Sequence, residues 1–449
     1  MSRSQEQYKK MIETPIPPLI ISLAIPTITS MLISSIYNMA DTFFVSKLGT
    51  SASGAVGIVF SLMAIIQSIG FMLGMGSGSV ISRTLGEQDK EEADCIASSG
   101  FLAAIVFGVL LVILGNVFLN TLMSLLGATE TILPYAVSYG RYIIFGAPIM
   151  MSSFVLNNIL RAEGKAKLAM IGISLGGLLN LVLDPVFIFV FQKGIAGAAI
   201  ATLLSQCCSF SVLLCFFLKG KSVTRIRITS VSGEIGKYWI ILKTGLPSFC
   251  RQSLSSIATV SLNRTVRVYG DEAVAAMAIV SKVFMVVFSI LIGFGQGYQP
   301  VCGYNYGARE YKRVKKAFWF TTLVGTCFMC VVGIIGFIGA KMFIGSFIDD
   351  PQVIQIGVAA FRAQCVAMPF VALGAVCNMS LQVVGKTWQG TLLSAARQGF
   401  FFLPLIYILP KYLGLTGVEM TQAVADVLTF LLSIPFAVLF LRGLRKTET

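Results

Sequence analysis

The chain contains no histidine, and only 20 of its 449 residues are acidic. Without imidazole the usual zinc ligand sets are missing, and so is the commonest general base near neutral pH. Charged residues make up 12% of the chain, about half of what a soluble domain carries. Long polar stretches are also missing, so nothing between the apolar runs is large enough for a soluble domain. Cysteine occurs ten times, but several copies (Cys207, Cys208, Cys215, Cys327, Cys330) sit inside apolar runs. No Cys-x-x-Cys pair has the flanks of a metal site, so these cysteines read as small apolar residues of a membrane interior. Nucleotide-binding motifs and nucleophile arrangements are absent as well. Gly74-Met-Gly-Ser-Gly78 and Gly293-Phe-Gly-Gln-Gly297 lack the Lys-Ser/Thr of a phosphate loop and fall inside apolar runs, where small residues let helices pack closely. An enzyme is not expected, nor an organic cofactor.

What is present is apolar. Hydrophobic residues make up 56% of the chain and its mean hydropathy is +0.83. A membrane span needs about 20 mostly apolar residues, and twelve such runs are expected, near 16–45, 53–82, 94–118, 132–160, 167–191, 195–218, 238–268, 274–303, 315–340, 353–382, 388–410 and 416–441. Met1 to Glu13 is polar and the first apolar run has no small-residue cleavage site, so it reads as a first span rather than a leader. The formal charge of +14 would suggest nucleic acid as a partner of a soluble protein. Here the basic residues lie mostly in loops, so a lipid bilayer is the expected partner and nucleic acid is not. With the N-terminus inside, about 23 Lys and Arg fall on the cytoplasmic side and about six on the other, which predicts that both termini are cytoplasmic.

The sequence matches itself. At an ungapped offset of 221, Pro26 meets Pro247, Gly49 meets Gly270, Gly74 meets Gly295, Gly86 meets Gly307, Arg141 meets Arg362 and Gly164-Lys165 meets Gly385-Lys386. One register held over about 140 residues, with glycines and prolines coinciding, marks a duplication. Each half has an even number of spans, so the halves share one orientation, related by a pseudo-two-fold axis along the membrane normal. The expected fold is all-α: a first lobe over residues 1–218, a basic linker over 219–237 and a second lobe over 238–449. Parallel six-helix lobes suit alternating access, although some channels are also duplicated in parallel.

A charge at the bilayer centre is costly, so intramembrane acids carry the most information. Asp41 lies near the outer end of span 1, and Asp184 lies in span 5 within Asn180-Leu-Val-Leu-Asp184-Pro185. Both spans run outward, which puts the two carboxylates at similar depth. Asn180 and Asp184 share a helix face, Pro185 frees the carbonyl of Leu181, and Thr202 of span 6 reaches the same layer. The set is one of hard oxygens, suited to a proton or a small cation such as Na⁺. The alternative is that the acids pair with a buried base, for which Arg141 is the first half's deep candidate. The repeat supplies a control: Asp41, Asn180 and Asp184 meet Leu262, Phe401 and Leu405, and Thr202 meets Gln422. The scaffold therefore does not require them. In the second half Arg251, Lys282, Arg397 and Asp426 are buried charges, and Asp426 is open to pairing with Lys282 or Arg397 or to a substrate role.

At these residues the chain resembles the multidrug and toxic compound extrusion (MATE) transporters, in their DinF-like and MepA-like bacterial branch. The resemblance rests on Asn38-Met-Ala-Asp41-Thr-Phe-Phe-Val, Arg161-Ala-Glu-Gly164-Lys165, Asn180 to Pro185 and Gln299-Pro-Val-Cys-Gly-Tyr-Asn305-Tyr-Gly307-Ala308. It implies a V-shaped pair of six-helix lobes in the cytoplasmic membrane of a bacterium or archaeon, exporting amphipathic, often cationic compounds by antiport with H⁺ or Na⁺. It also implies that the coupling ion binds at Asp41, Asn180, Asp184 and Thr202. The candidate substrate cavity takes in Tyr37, Asn38, Met151, Asn157 and Gln206 of the first half, with Lys282, Arg397 and Asp426 of the second. A monomer is expected. Export of a lipid-linked or anionic metabolite, the other habit of the superfamily, is the alternative function.

Overall fold

The computed structural model describes residues 3–446; residues 1–2 and 447–449, assigned above to the two lobes, lie outside the described residues. Among the described residues the backbone is helical almost throughout, with no strand. Short α1 (Arg3–Glu13) precedes α2 (Ile16–Ser46), α3 (Thr50–Gly86) and α4 (Lys90–Val117), and a brief α5 (Leu119–Leu125) leads to α6 (Leu133–Ala162), α7 (Ala166–Pro185) and α8 (Gly194–Leu218). The second bundle comprises α9 (Ile235–Val266), α10 (Asp271–Gly307), α11 (Tyr311–Gly345), α12 (Pro351–Val384), α13 (Thr387–Ala395), α14 (Leu403–Leu413) and α15 (Leu415–Lys446). α7 continues into a π-helical turn, Val186–Val190, and α13 joins α14 through another, Ala396–Phe402. Each of these makes one span with its π segment.

Among the described residues, eleven helical spans are long and apolar enough to cross a bilayer. The twelfth, α9, has the length but carries Lys237, Lys243, Arg251 and Arg264. All twelve expected runs are therefore helices, and the chain is a multi-pass membrane protein. Helix is the form lipid demands, because each span must satisfy its own backbone N–H and C=O groups. Side chains fix the ends locally. Asp89 accepts from the Glu92 N–H at 3.0 Å to cap α4, and Asp350 accepts from the Gln352 N–H at 2.8 Å to cap α12. Gly164 and Gly385, repeat mates, turn the chain after α6 and α12 with φ of +76° and +84°, a conformation that costs a residue with a Cβ.

The duplication is visible in bonds as well as in letters. The Asn157 amide donates to the Ala169 carbonyl at 2.9 Å, and the Asn378 amide donates to the Gly390 carbonyl at 2.7 Å. Both donors and both acceptors are repeat mates, so the same tie fastens α6 to α7 and α12 to α13. The bundles meet along α2, α3, α9 and α10. A methyl group at Gly86 would fall on the Tyr304 carbonyl, and one at Gly307 on the Arg83 carbonyl. Positions 83 and 304 are again mates, so one contact occurs twice about the pseudo-two-fold axis. Thr27 donates to the Gly293 carbonyl at 2.6 Å, and Arg161 donates to Gln296.

These bridges lie toward the membrane face that carries the linker. The apolar core follows the same division. One buried cluster runs through the first bundle and across the junction to Tyr298, Val301, Phe318 and Leu381. A second, drawn only from α9 to α15 and including Met277, Phe284 and Phe361, fills the far half of the second bundle. The bundles are thus packed together on the linker side and have separate cores on the far side. The linker itself is strapped to the first bundle. Glu163, fully buried, accepts from Ser222 Oγ at 2.7 Å, from the Val223 and Thr224 N–H groups at 2.8 Å each, and from Thr224 Oγ1. The Arg225 N–H donates to Asp94 at 2.8 Å.

Candidate functional site

α7 brings Asn180 and Asp184 to one face a turn apart, and Pro185 with the following π turn ends regular helix at that point. Such π turns often mark functional positions. The Asn180 amide donates to Asp184 Oδ1 at 3.0 Å and reaches Thr202 Oγ1 of α8 at 3.5 Å. Asp41, from α2, faces the Asp184 carboxyl within hydrogen-bonding reach. All four are buried, and Asp184 has no exposed surface. The four residues selected from sequence therefore converge, from three helices.

Neither aspartate forms an ion pair among the described residues, and Arg141 is exposed, so pairing with that base is not realised. Asp41 Oδ1, Asp184 Oδ2 and Asn180 Oδ1 are buried without a hydrogen-bond partner. Two carboxylates at this depth cannot both stand as bare charges. One shared proton or one monovalent cation would lower the charge of the pair from −2 to −1, and the oxygens present fit either. No group of three or more His, Cys, Asp or Glu that could hold a metal ion gathers among the described residues.

Two neighbours escaped the sequence reading. Tyr139 of α6 is fully buried beside Thr202, and its hydroxyl makes no hydrogen bond of good geometry. Ser205, one turn from Thr202 on α8, is likewise buried and unpartnered. Their repeat mates are Ala360 and Ala425. Comparing the halves at every polar position, rather than at the acids alone, would have flagged both.

Two further cavities stand at equivalent places in the two bundles. The smaller, about 60 Å³, is lined by Tyr37, Ser153, Gly176, Gln206 and Ser209 among others and carries no charged side chain. The larger, about 260 Å³, is lined by residues that include Gly374, Arg397, Asp426 and Thr429, the mates of Ser153, Gly176, Gln206 and Ser209. Arg397 Nε donates to Asp426 Oδ1 at 2.6 Å, Arg397 Nη2 donates to Oδ2 at 3.3 Å, and the Gln422 amide adds a bond at 2.9 Å. Arg397 also lies over the Phe288 ring at 3.9 Å. Of the expected cavity residues, Tyr37 and Gln206 line the smaller cavity, and Arg397 and Asp426 the larger. Asn38 donates along α2 to the Ser34 carbonyl at 2.8 Å. Met151 is packed in the first bundle, Asn157 is committed to Ala169, and Lys282 is exposed; none of these three lines either cavity.

Two bundles of six spans, joined on one membrane side around buried polar sites, define a two-lobed membrane transporter. The MatE family model matches residues 26–186 and again 247–408, beginning at the paired prolines Pro26 and Pro247. The chain belongs to the MatE family, whose members are multidrug and toxic compound extrusion transporters and not enzymes. Multidrug export protein MepA of Staphylococcus aureus is 26% identical over 424 residues, covering 94% of this chain and 93% of that protein. A MATE transporter of the MOP superfamily in an outward-facing conformation superposes with a TM-score of 0.93 at 26% identity, covering 99% of each chain. A MOP-superfamily transporter from Pyrococcus furiosus, described as having a binding pocket of reversed polarity that suggests a different function, gives 0.91 at 27% identity over 98% of each chain.

Proposed function

We propose that this chain is a monomeric, ion-coupled antiporter that exports amphipathic organic compounds across the cytoplasmic membrane of a bacterium or archaeon. The observation that carries the reading is the set of buried, unpartnered oxygens on Asp41, Asn180 and Asp184 beside Thr202, present in the first half alone. H⁺ or Na⁺ entering this set lowers the charge of the paired aspartates from −2 to −1 and draws α2, α7 and α8 together, and loss of the ion releases them. The lobes, residues 1–218 and 238–449, rock about the linker 219–237. With the basic loops in the cytoplasm, both termini are cytoplasmic and the glycine contacts of α3 and α10 close the cytoplasmic side.

Ion and substrate then compete through the packing of the first lobe, each favouring a different arrangement, so the coupling is reciprocal. The test is transport in proteoliposomes with a pH gradient and a Na⁺ gradient imposed separately, using fluorescent amphiphiles of both charge signs. One gradient drives flux, and Asp41→Asn or Asp184→Asn lowers the driven flux at least tenfold. Flux that persists unchanged in both variants overturns the proposal.

A further inference from the structure

The larger cavity has a charge that ion coupling does not use. Its wall holds three charged side chains, Arg251, Arg397 and Asp426. Asp426 is fully engaged by Arg397 and Gln422. Arg251, on α9, makes no hydrogen bond or ion pair with any described residue. On the linker side Arg161 stands within electrostatic range of Arg251 and bonds only to the neutral amides of Gln296 and Asn158. Gln296 lines both this cavity and the small pocket that holds Arg161.

Cavity and floor together thus hold three guanidinium groups against one carboxylate. An unpaired cation at membrane depth is expensive and ordinarily finds a partner. The scaffold does not demand it, because the repeat mate of Arg251 is Ser30, that of Arg397 is Gly176 and that of Asp426 is Gln206. The equivalent cavity in the first bundle is built without any charge. Charge was therefore placed in one copy only, as with the aspartates, and with the opposite sign.

We propose that the larger cavity takes the head of an amphipathic organic anion, a carboxylate, sulfonate or phosphate ester on an apolar body, with Arg251 as its anchor. A planar guanidinium presents paired donors that match such a group. Gln252 and Ser255 of α9 supply further donors, and Met31, Phe71, Phe370 and Met379 give the apolar wall for the body. Amphipathic cations meet net positive charge and are disfavoured, which narrows the substrate class expected from the family resemblance. The inference rests on the export reading only for the direction of travel.

Three probes with one fluorophore test it on the purified full-length protein: dansylglycine (anionic), dansylglycinamide (neutral) and the dansyl derivative of ethylenediamine (cationic). The carboxylate binds roughly 10- to 100-fold more tightly than the amine, the range of a charge-assisted hydrogen bond. Arg251→Gln brings it to the level of the amide, while Arg251→Lys keeps most of the preference. Displacement of dansylglycine by a single-chain phosphate lipid at lower concentration than by a short alkyl phosphate identifies a lipid source for the anion; the reverse order identifies a free metabolite. Equal or tighter binding of the amine overturns the proposal, a comparison made on wild-type protein that needs no variant to fold. An unchanged preference in a folded Arg251→Gln protein overturns the role of Arg251. Gradient-driven flux of the amine with weak carboxylate binding sinks this inference and leaves antiport standing. Anion-selective binding with gradient-independent flux does the opposite.

Discussion

Removing Asp426 alone should harm the protein more than removing Asp426 and Arg397 together. The pair is bidentate, and Asp426 is 3% exposed whereas the Arg397 side chain is 23% exposed. Replacing the acid strands a guanidinium that has given up most of its water, and breaking a fully buried pair in this way costs about 3–5 kcal/mol. Arg397 keeps its place over Phe288 and some access to water, so about 2–3 kcal/mol is expected for Asp426→Asn. The double variant Arg397→Met/Asp426→Leu removes both charges and fills a similar volume, for about 0–1 kcal/mol. Thermal unfolding in detergent, followed by a thiol-reactive dye, reads this out, because Cys302, Cys365 and Cys377 are buried until the bundle opens. In a lobe of this size the single variant should melt roughly 5–10 °C lower and the double within about 3 °C of wild type. Equal losses in single and double variants would refute the reasoning, since the stranded charge would then carry no penalty. A second readout follows: Asp426→Asn frees Arg397 and should strengthen dansylglycine binding.

Gly307→Val places a branched side chain on the Arg83 carbonyl and should wedge the linker-side junction apart; buried Cys302 should then react with a small maleimide at least tenfold faster, and an unchanged rate would show that the contact yields elsewhere. Tyr139→Phe removes an unpartnered buried hydroxyl beside Thr202 and should raise the half-saturating ion concentration for driven flux about three- to tenfold, without changing expression. An identical ion dependence would remove Tyr139 from the site. Glu163→Ala strands the buried donors of Ser222, Val223 and Thr224 at about 1–3 kcal/mol for each donor that water cannot reach. Trypsin should then cut the linker near Lys219 to Arg227 much faster than in wild type, and equal cleavage rates would contradict the strapping role.

Most of the architecture was legible because lipid simplifies the code. Apolar length maps onto spans, and the 221-residue register maps onto paired contacts such as Asn157–Ala169 and Asn378–Gly390. α9 was the least apolar span, since Lys243 and Arg251 dilute its hydropathy, and its place was secured by its mate α2. The cluster of Asp41, Asn180, Asp184 and Thr202 was readable because acids inside apolar runs are rare and because subtracting one half from the other leaves few residues. Tyr139 and Ser205 were not read, since a lone Tyr or Ser in a span is ordinary until its surroundings are known. Lys282 was misjudged by depth alone, because span position does not say which way a helix face points.

The sequence by itself determined a duplicated bundle of twelve helices with the Asp41, Asn180, Asp184 and Thr202 set in the first half alone, because backbone satisfaction in lipid and chain periodicity are local properties. Only the tertiary structure decided which distant groups meet. Asp41 and Asp184 face each other across two helices, Asp426 is consumed by Arg397, and Arg251 is left unpaired in a cavity whose twin carries no charge. Charge balance is a property of a volume, and the volume exists only once the helices have packed.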